Sequence, residues 1–182
     1  MALLKEFPSK IFFYCFEPAP VGGEPSIVPS HVIVEKMEEQ MPRLATGLRA
    51  GVPGTRSRPK TGLVNGSAKR SRADRAFKAS DDGSAEFTYG PVHPVREFGG
   101  KKAWFLPILG YLANEKDVVD TSFGDGSNVL QEAMDAYKGI LAENCVDLKW
   151  KKGDVLLVDN LSVQHTRRPG KPPRAIYASI CK

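Results

Sequence analysis

The stretch from Trp150 to Lys182 constrains this chain more than any other part of it. An apolar run, Val155 to Val158, ends at Asp159-Asn160; His165, Arg167, Arg168 and Arg174 follow, and Ala175 to Cys181 closes the chain. Both apolar runs are short, rich in β-favouring residues and bounded by turn formers, so both read as strands. Lys151-Lys152-Gly153, just upstream, is a turn with a glycine free to take positive φ. A histidine at a strand end, with arginines on the returning strand, suits a metal ligand beside an anion clamp.

The remaining elements point to the same class. Lys10 to Phe16 reads as a buried aromatic strand, Pro18 to Pro25 as turn material around Gly22-Gly23, and Ser26 to Val28 as a short strand. Ser30 is placed to cap a helix running on to Met41. Ala85 to Tyr89 and Lys102 to Leu106 read as strands, as do Val146 to Trp150 and Asp154 to Val158. Ser127 to Asn144 carries Val129, Ala133, Met134, Tyr137, Ile140 and Leu141 at helical spacing. The expected class is mainly β with helical decoration, a sandwich or barrel. A length of 182 residues suits one domain with a real core. Three scattered cysteines without a C-x-x-C pair fit reduced thiols, and cytoplasm is the default location in the absence of a signal peptide or spanning segment.

The net charge of +5 is concentrated in one place. Residues 43–82 hold ten Lys/Arg against three Asp/Glu, or +7, so the remainder carries −2. This basic segment is poor in large apolar residues, and the sequence predicts a disordered insertion or a degenerate stretch. Clustered cations could bind nucleic acid or acidic partners. The segment has no interleaved aromatics and no reading module, which ranks that alternative last.

Several blocks carry a resemblance. E-F-P-S-K-I-F-F-Y-C from Glu6, G-G-E at Gly22 to Glu24, F-G-D-G from Phe123 and G-D-V-L-L-V-D-N…H…R-R-P…P-P-R…A-S-I-C-K resemble the TauD/TfdA-like taurine dioxygenase family. Within it, the likeness is to the plant clavaminate synthase-like proteins. The resemblance covers residues 1–41 and 87–182 and implies a double-stranded β-helix (jelly roll), Fe(II), 2-oxoglutarate and oxidation of a small molecule with O2. Such a site holds Fe(II) with two histidines and one carboxylate, the first two ligands arriving as H-x-D or H-x-E. His165 matches the distal histidine. An arginine about ten residues later grips the far carboxylate of 2-oxoglutarate through its planar fork.

Part of that set is missing. The histidines are His31, His93 and His165, followed two residues on by Ile33, Val95 and Arg167, so there is no H-x-D or H-x-E. In the family the E-F-P-S-K stretch follows closely on that motif, and Met1 aligns just past it. The expected jelly roll is therefore incomplete at its N-terminal side, with unpaired edges and an uncovered apolar face that favour association. Where the family has threonine after G-G-E, this chain has Pro25 with Ser26 beside it. Where the family clamp arginine falls, this chain has Ala175, preceded by Arg174. Neighbouring strand residues face opposite ways, so Arg174 fills that role only through a register shift or bulge. The expectation is a 2-oxoglutarate/Fe(II) dioxygenase relative without a complete active site; a non-catalytic remnant is the alternative. Of the other residues, His31 reads as a capping or surface residue, His93 as a loop residue, Asp159 and Asn160 as turn organisers, Arg167 and Arg168 as solvated or paired with acidic neighbours, and Trp104, Phe105 and Trp150 as packing.

Overall fold

A computed structural model describes residues 7–42, 54–59, 75–79, 85–89, 93–105, 117–122 and 129–181. It is mainly β with two helices among those residues, which is the expected fold class. Two three-stranded sheets position the site.

The first sheet has the order β10-β1-β12, all antiparallel: β1 is Lys10–Glu17, β10 is Val155–Asp159 and β12 is Ala175–Cys181. The second has the order β11-β2-β9, with β2 at Pro25–Pro29, β9 at Val146–Asp147 and β11 at Val163–Arg167. The expected strands at Lys10, Ser26 and Ala175 are all present. The strand foreseen at Val146 to Trp150 shrinks to Val146–Asp147, which pair with Ile27 and Ser26 of β2.

Helix α1, Ser30–Gln40, and helix α2, Gln131–Asn144, pack on the second sheet. Ile33, Val34 and Met37 of α1 and Ala133, Tyr137 and Ile140 of α2 recur at helical spacing and are buried together with Val28 of β2. Trp104 joins them from the hairpin of β6, Val95–Phe98, and β7, Lys101–Trp104. β6 is an element that sequence periodicity did not reveal. Ser30 does not cap α1: Pro29 occupies the cap position with no side-chain hydrogen bond, while Ser30 is buried and donates its backbone N–H to the Ser162 carbonyl at 2.8 Å. α2 also begins later than its apolar pattern predicts. Leu130 is extended (φ −59°, ψ 138°) and supplies a carbonyl to the amides of Ala133 and Met134.

Two further strands, β3 at Gly54–Pro59 and β4 at Arg75–Ala79, fall inside the basic segment 43–82. They join β5, Ala85–Tyr89, and β8, Asp117–Ser122, in a sheet of order β4-β5-β3-β8. The rest of that segment lies outside the described residues, as do Phe123 and the F-G-D-G turn it opens. No helix among the described residues is long and apolar enough to cross a membrane.

Candidate active-site pocket

The pleat of β11 decides which way His165 points. Its neighbour Gln164 is held on the helix side: the Tyr137 hydroxyl donates to Gln164 Oε1 at 2.7 Å, and Gln164 Nε2 donates to the Trp104 carbonyl at 2.9 Å. Successive strand residues alternate, so His165 is turned to the opposite face, toward the first sheet. There its ring meets Phe13 of β1 edge-on, at 5.3 Å between centroids.

Between the two sheets lies a cavity of about 350 Å³ whose walls include Phe13, Trp150, Leu156, His165, Arg167 and Arg174. His165 as a whole residue is exposed, but the surrounding walls desolvate its imidazole and push it below its ordinary range. A neutral ring is the form that ligates metals.

Arg174 shares this cavity with Ile176 and Ala178, its alternate neighbours along β12. The regular alternation of β12 puts Arg174 on this side, and opposite it β1 carries a bulge: Cys15 pairs with Ile176, but Glu17 pairs with Ala175, leaving Phe16 as an extra residue. Ala175 stays out of the cavity lining. Partial burial, and then the like charge of Arg167, lower the Arg174 pKa, while the guanidinium remains a cation at neutral pH. Its Nε donates to the Gly23 carbonyl at 3.3 Å. Among the described residues neither Arg167 nor Arg174 has a carboxylate partner, so the pocket holds uncompensated positive charge.

The Gly22-Gly23 turn fixes that carbonyl. Both glycines have positive φ (67° and 76°), and Gly22 bridges to Gly170. A Cβ on Gly22 would collide with the Pro169 carbonyl, and one on Gly23 would lie 3.3 Å from Arg174 Cδ. Only glycine satisfies both the backbone conformation and the close approach.

The turn before β11 shows the expected Asx chemistry at Asp159, whereas Asn160 bonds a distant strand entry instead. Asp159 Oδ1 accepts from the Leu161 amide at 3.2 Å, and Asn160 Nδ2 donates to the Pro8 carbonyl at 2.7 Å. Arg168 points away from the cavity walls and binds both oxygens of Asp147, at 2.9 and 3.0 Å. His93 is exposed, and His31 is exposed at a separate cavity beside Glu35 and Glu38. Trp150 lines the His165 pocket, a rim position, and its Nε1 is buried with no hydrogen-bond partner among the described residues. Neither this contact nor that of Phe13 carries a sequence signal, since both depend on which strands face each other.

No three His, Cys, Asp or Glu side chains among the described residues converge to hold a metal ion. The donor set therefore does not fit ferrous ion as these residues stand: one imidazole faces the cavity, and neither other histidine lies near it.

Residues 1–178 match the taurine catabolism dioxygenase TauD, TfdA family. This chain belongs to that family. The Clavaminate synthase-like protein At3g21360 of Arabidopsis thaliana is 33% identical over 208 residues, an alignment that takes in 100% of this chain and 63% of the relative. The chain thus spans less than two thirds of that relative's length. Among solved structures, AAD-2 in complex with Mn(II) and N-oxalylglycine aligns with a TM-score of 0.54 at 13% identity, covering 96% of this chain and 63% of that one. PvcB of Pseudomonas aeruginosa aligns at 0.52 and 12% identity, covering 96% and 51%. These two likenesses show the fold alone. A TauD/TfdA family chain thus has, among the described residues, a cationic pocket with a single histidine between its two three-stranded sheets.

Proposed function

We propose that these residues form the distal half of a 2-oxoglutarate/Fe(II) dioxygenase site, built on the double-stranded β-helix of the family. His165 takes the place of the distal iron ligand and Arg174 that of the carboxylate clamp. The observation that carries this reading is the meeting of His165 and Arg174 in one cavity, with Arg174 on the same side as Ile176 and Ala178. A fixed guanidinium fork is the group best suited to a carboxylate, and a second cation nearby strengthens the field. The Gly23 carbonyl holds Nε and so orients the fork.

The same reading makes the chain by itself inactive in oxidation, because no H-x-D or H-x-E accompanies His165 in these 182 residues. What remains is recognition of a small dicarboxylate oxoacid. N-oxalylglycine, bound by AAD-2, has the same arrangement of an oxoacid end and a far carboxylate and serves as the probe.

Calorimetric titration with N-oxalylglycine should show weak binding that Arg174→Ala reduces about tenfold or more, the loss of roughly one charge-assisted contact. Equal binding by wild type and Arg174→Ala would remove the clamp assignment. Anaerobic addition of Fe(II) and 2-oxoglutarate should produce no visible charge-transfer band. A clear band would mean that a complete metal site exists after all.

A further inference from the structure

The β10-β1-β12 sheet has two unlike faces. Phe13, Leu156, Ile176 and Ala178 line the His165 pocket on one side. On the other, the register sets Phe12 beside Leu157, and Tyr14 between Val155 and Tyr177. Phe16 extends the row, its ring 5.7 Å from that of Tyr177, and Tyr14 stacks on Tyr177 at 6.5 Å with an interplanar angle of 9°. All six side chains are open to water: Phe12 39%, Tyr14 41%, Phe16 45%, Leu157 54%, Tyr177 60% and Val155 63%.

Charge is confined to the ends of this face. Lys10 and Asp159 close one end as an ion pair at 3.3 Å, and the Lys152 ammonium lies 5.5 Å over the Phe16 ring at the other. An apolar centre within a polar rim is the anatomy of an interface, and the most apolar interfaces are those between identical subunits. With ~200 Å² for an aromatic side chain and somewhat less for Val and Leu, the exposed fractions leave roughly 550 Å² in water. A symmetric pair would bury about 1,100 Å² in total, past the ~1,000 Å² that a specific interface needs.

We propose that this face pairs two copies of the chain about a two-fold axis, sheet stacked on sheet. The central side chains are uncharged, and the Lys10–Asp159 pair is already satisfied within one copy, so nothing on the face selects a charged partner. A flat apolar sheet face is complementary to itself, and stacked sheets sit ~10 Å apart with their inner side chains interdigitated. Pairing here leaves the His165 pocket open, since that pocket lies on the opposite face.

Sedimentation velocity of the 182-residue chain over a concentration series tests the proposal. A discrete two-copy species should form, Tyr177→Glu and Leu157→Lys should each weaken pairing tenfold or more, and Leu130→Glu should not, although Leu130 is 57% exposed elsewhere. Hydroxyl-radical footprinting of the wild type gives a readout that no variant's folding can confuse. Tyr14 and Tyr177 should be protected several-fold in concentrated relative to dilute samples. A monomer at every concentration overturns the proposal and leaves the face to a segment from outside these residues. Association without protection of the two tyrosines, or open-ended assembly indifferent to Tyr177→Glu, overturns it as well.

Discussion

The outward faces of the two three-stranded sheets differ in what covers them. On β11-β2-β9, Val28 and Gln164 lie under α1 and α2, packed with Tyr137, Trp104 and Ile33 and joined through two hydrogen bonds. On β10-β1-β12, Phe12, Tyr14, Val155, Leu157 and Tyr177 are exposed, with no covering layer among the described residues. Both sheets alternate in the same way, and apolar side chains stand on both outward faces. Burial is thus decided by the neighbouring layer rather than by the strand.

The largest consequence is for stability. Tyr137→Ala, on the covered side, should cost about 3–5 kcal/mol, since it empties a fully buried aromatic site. Tyr177→Ala, on the open side, should change stability by about 0.5 kcal/mol or less under conditions where the chain is monomeric. Urea melts of the two variants followed by far-UV circular dichroism compare them directly. Equal losses would mean that the open face is covered in solution.

A smaller effect is expected where the two sheets are tied together. Gly22→Ala should cost about 1–3 kcal/mol, because the added Cβ meets positive φ and the Pro169 carbonyl at once. It should also weaken N-oxalylglycine binding, since the Gly23 carbonyl that orients Arg174 moves with the turn. A stable variant with unaltered binding would show that the turn does not position Arg174.

The smallest effect is a pH dependence that only the cavity side should show. Desolvation lowers the His165 pKa in the folded chain, so below the ordinary histidine value of ~6.5 the unfolded chain binds more protons than the folded one. Folding stability should then fall as pH drops through that value, and His165→Gln should flatten this part of the slope. Melting temperatures of both proteins between neutral and mildly acidic pH provide the check; parallel curves would mean that His165 is not desolvated.

Much of this was legible in the residues. Ala85–Tyr89 and Ala175–Cys181 are the strands their composition predicts, because β-branched and aromatic runs bounded by turn formers have few other solutions. The Asp159 turn follows from a side chain that bonds the backbone two residues on, whereas the Asn160 bond to the distant Pro8 carbonyl has no local signal. The β6–β7 hairpin was not legible, since Val95–Phe98 alternates only weakly and is fixed by its pairing with Lys101–Trp104. The late start of α2 was hidden too, because Val129 and Leu130 continue the apolar rhythm while the backbone at Leu130 is extended.

The order of residues by itself determined the family, the alternating strands and the solitary histidine of the terminal block, all of them local patterns or plain counts. Tertiary structure alone decided that the side of β12 carrying Arg174 faces His165 across a cavity, and that helices cover one sheet and not the other. Periodicity states which side chains share a face. What lies against that face is set by contacts between distant segments, and no local pattern encodes them.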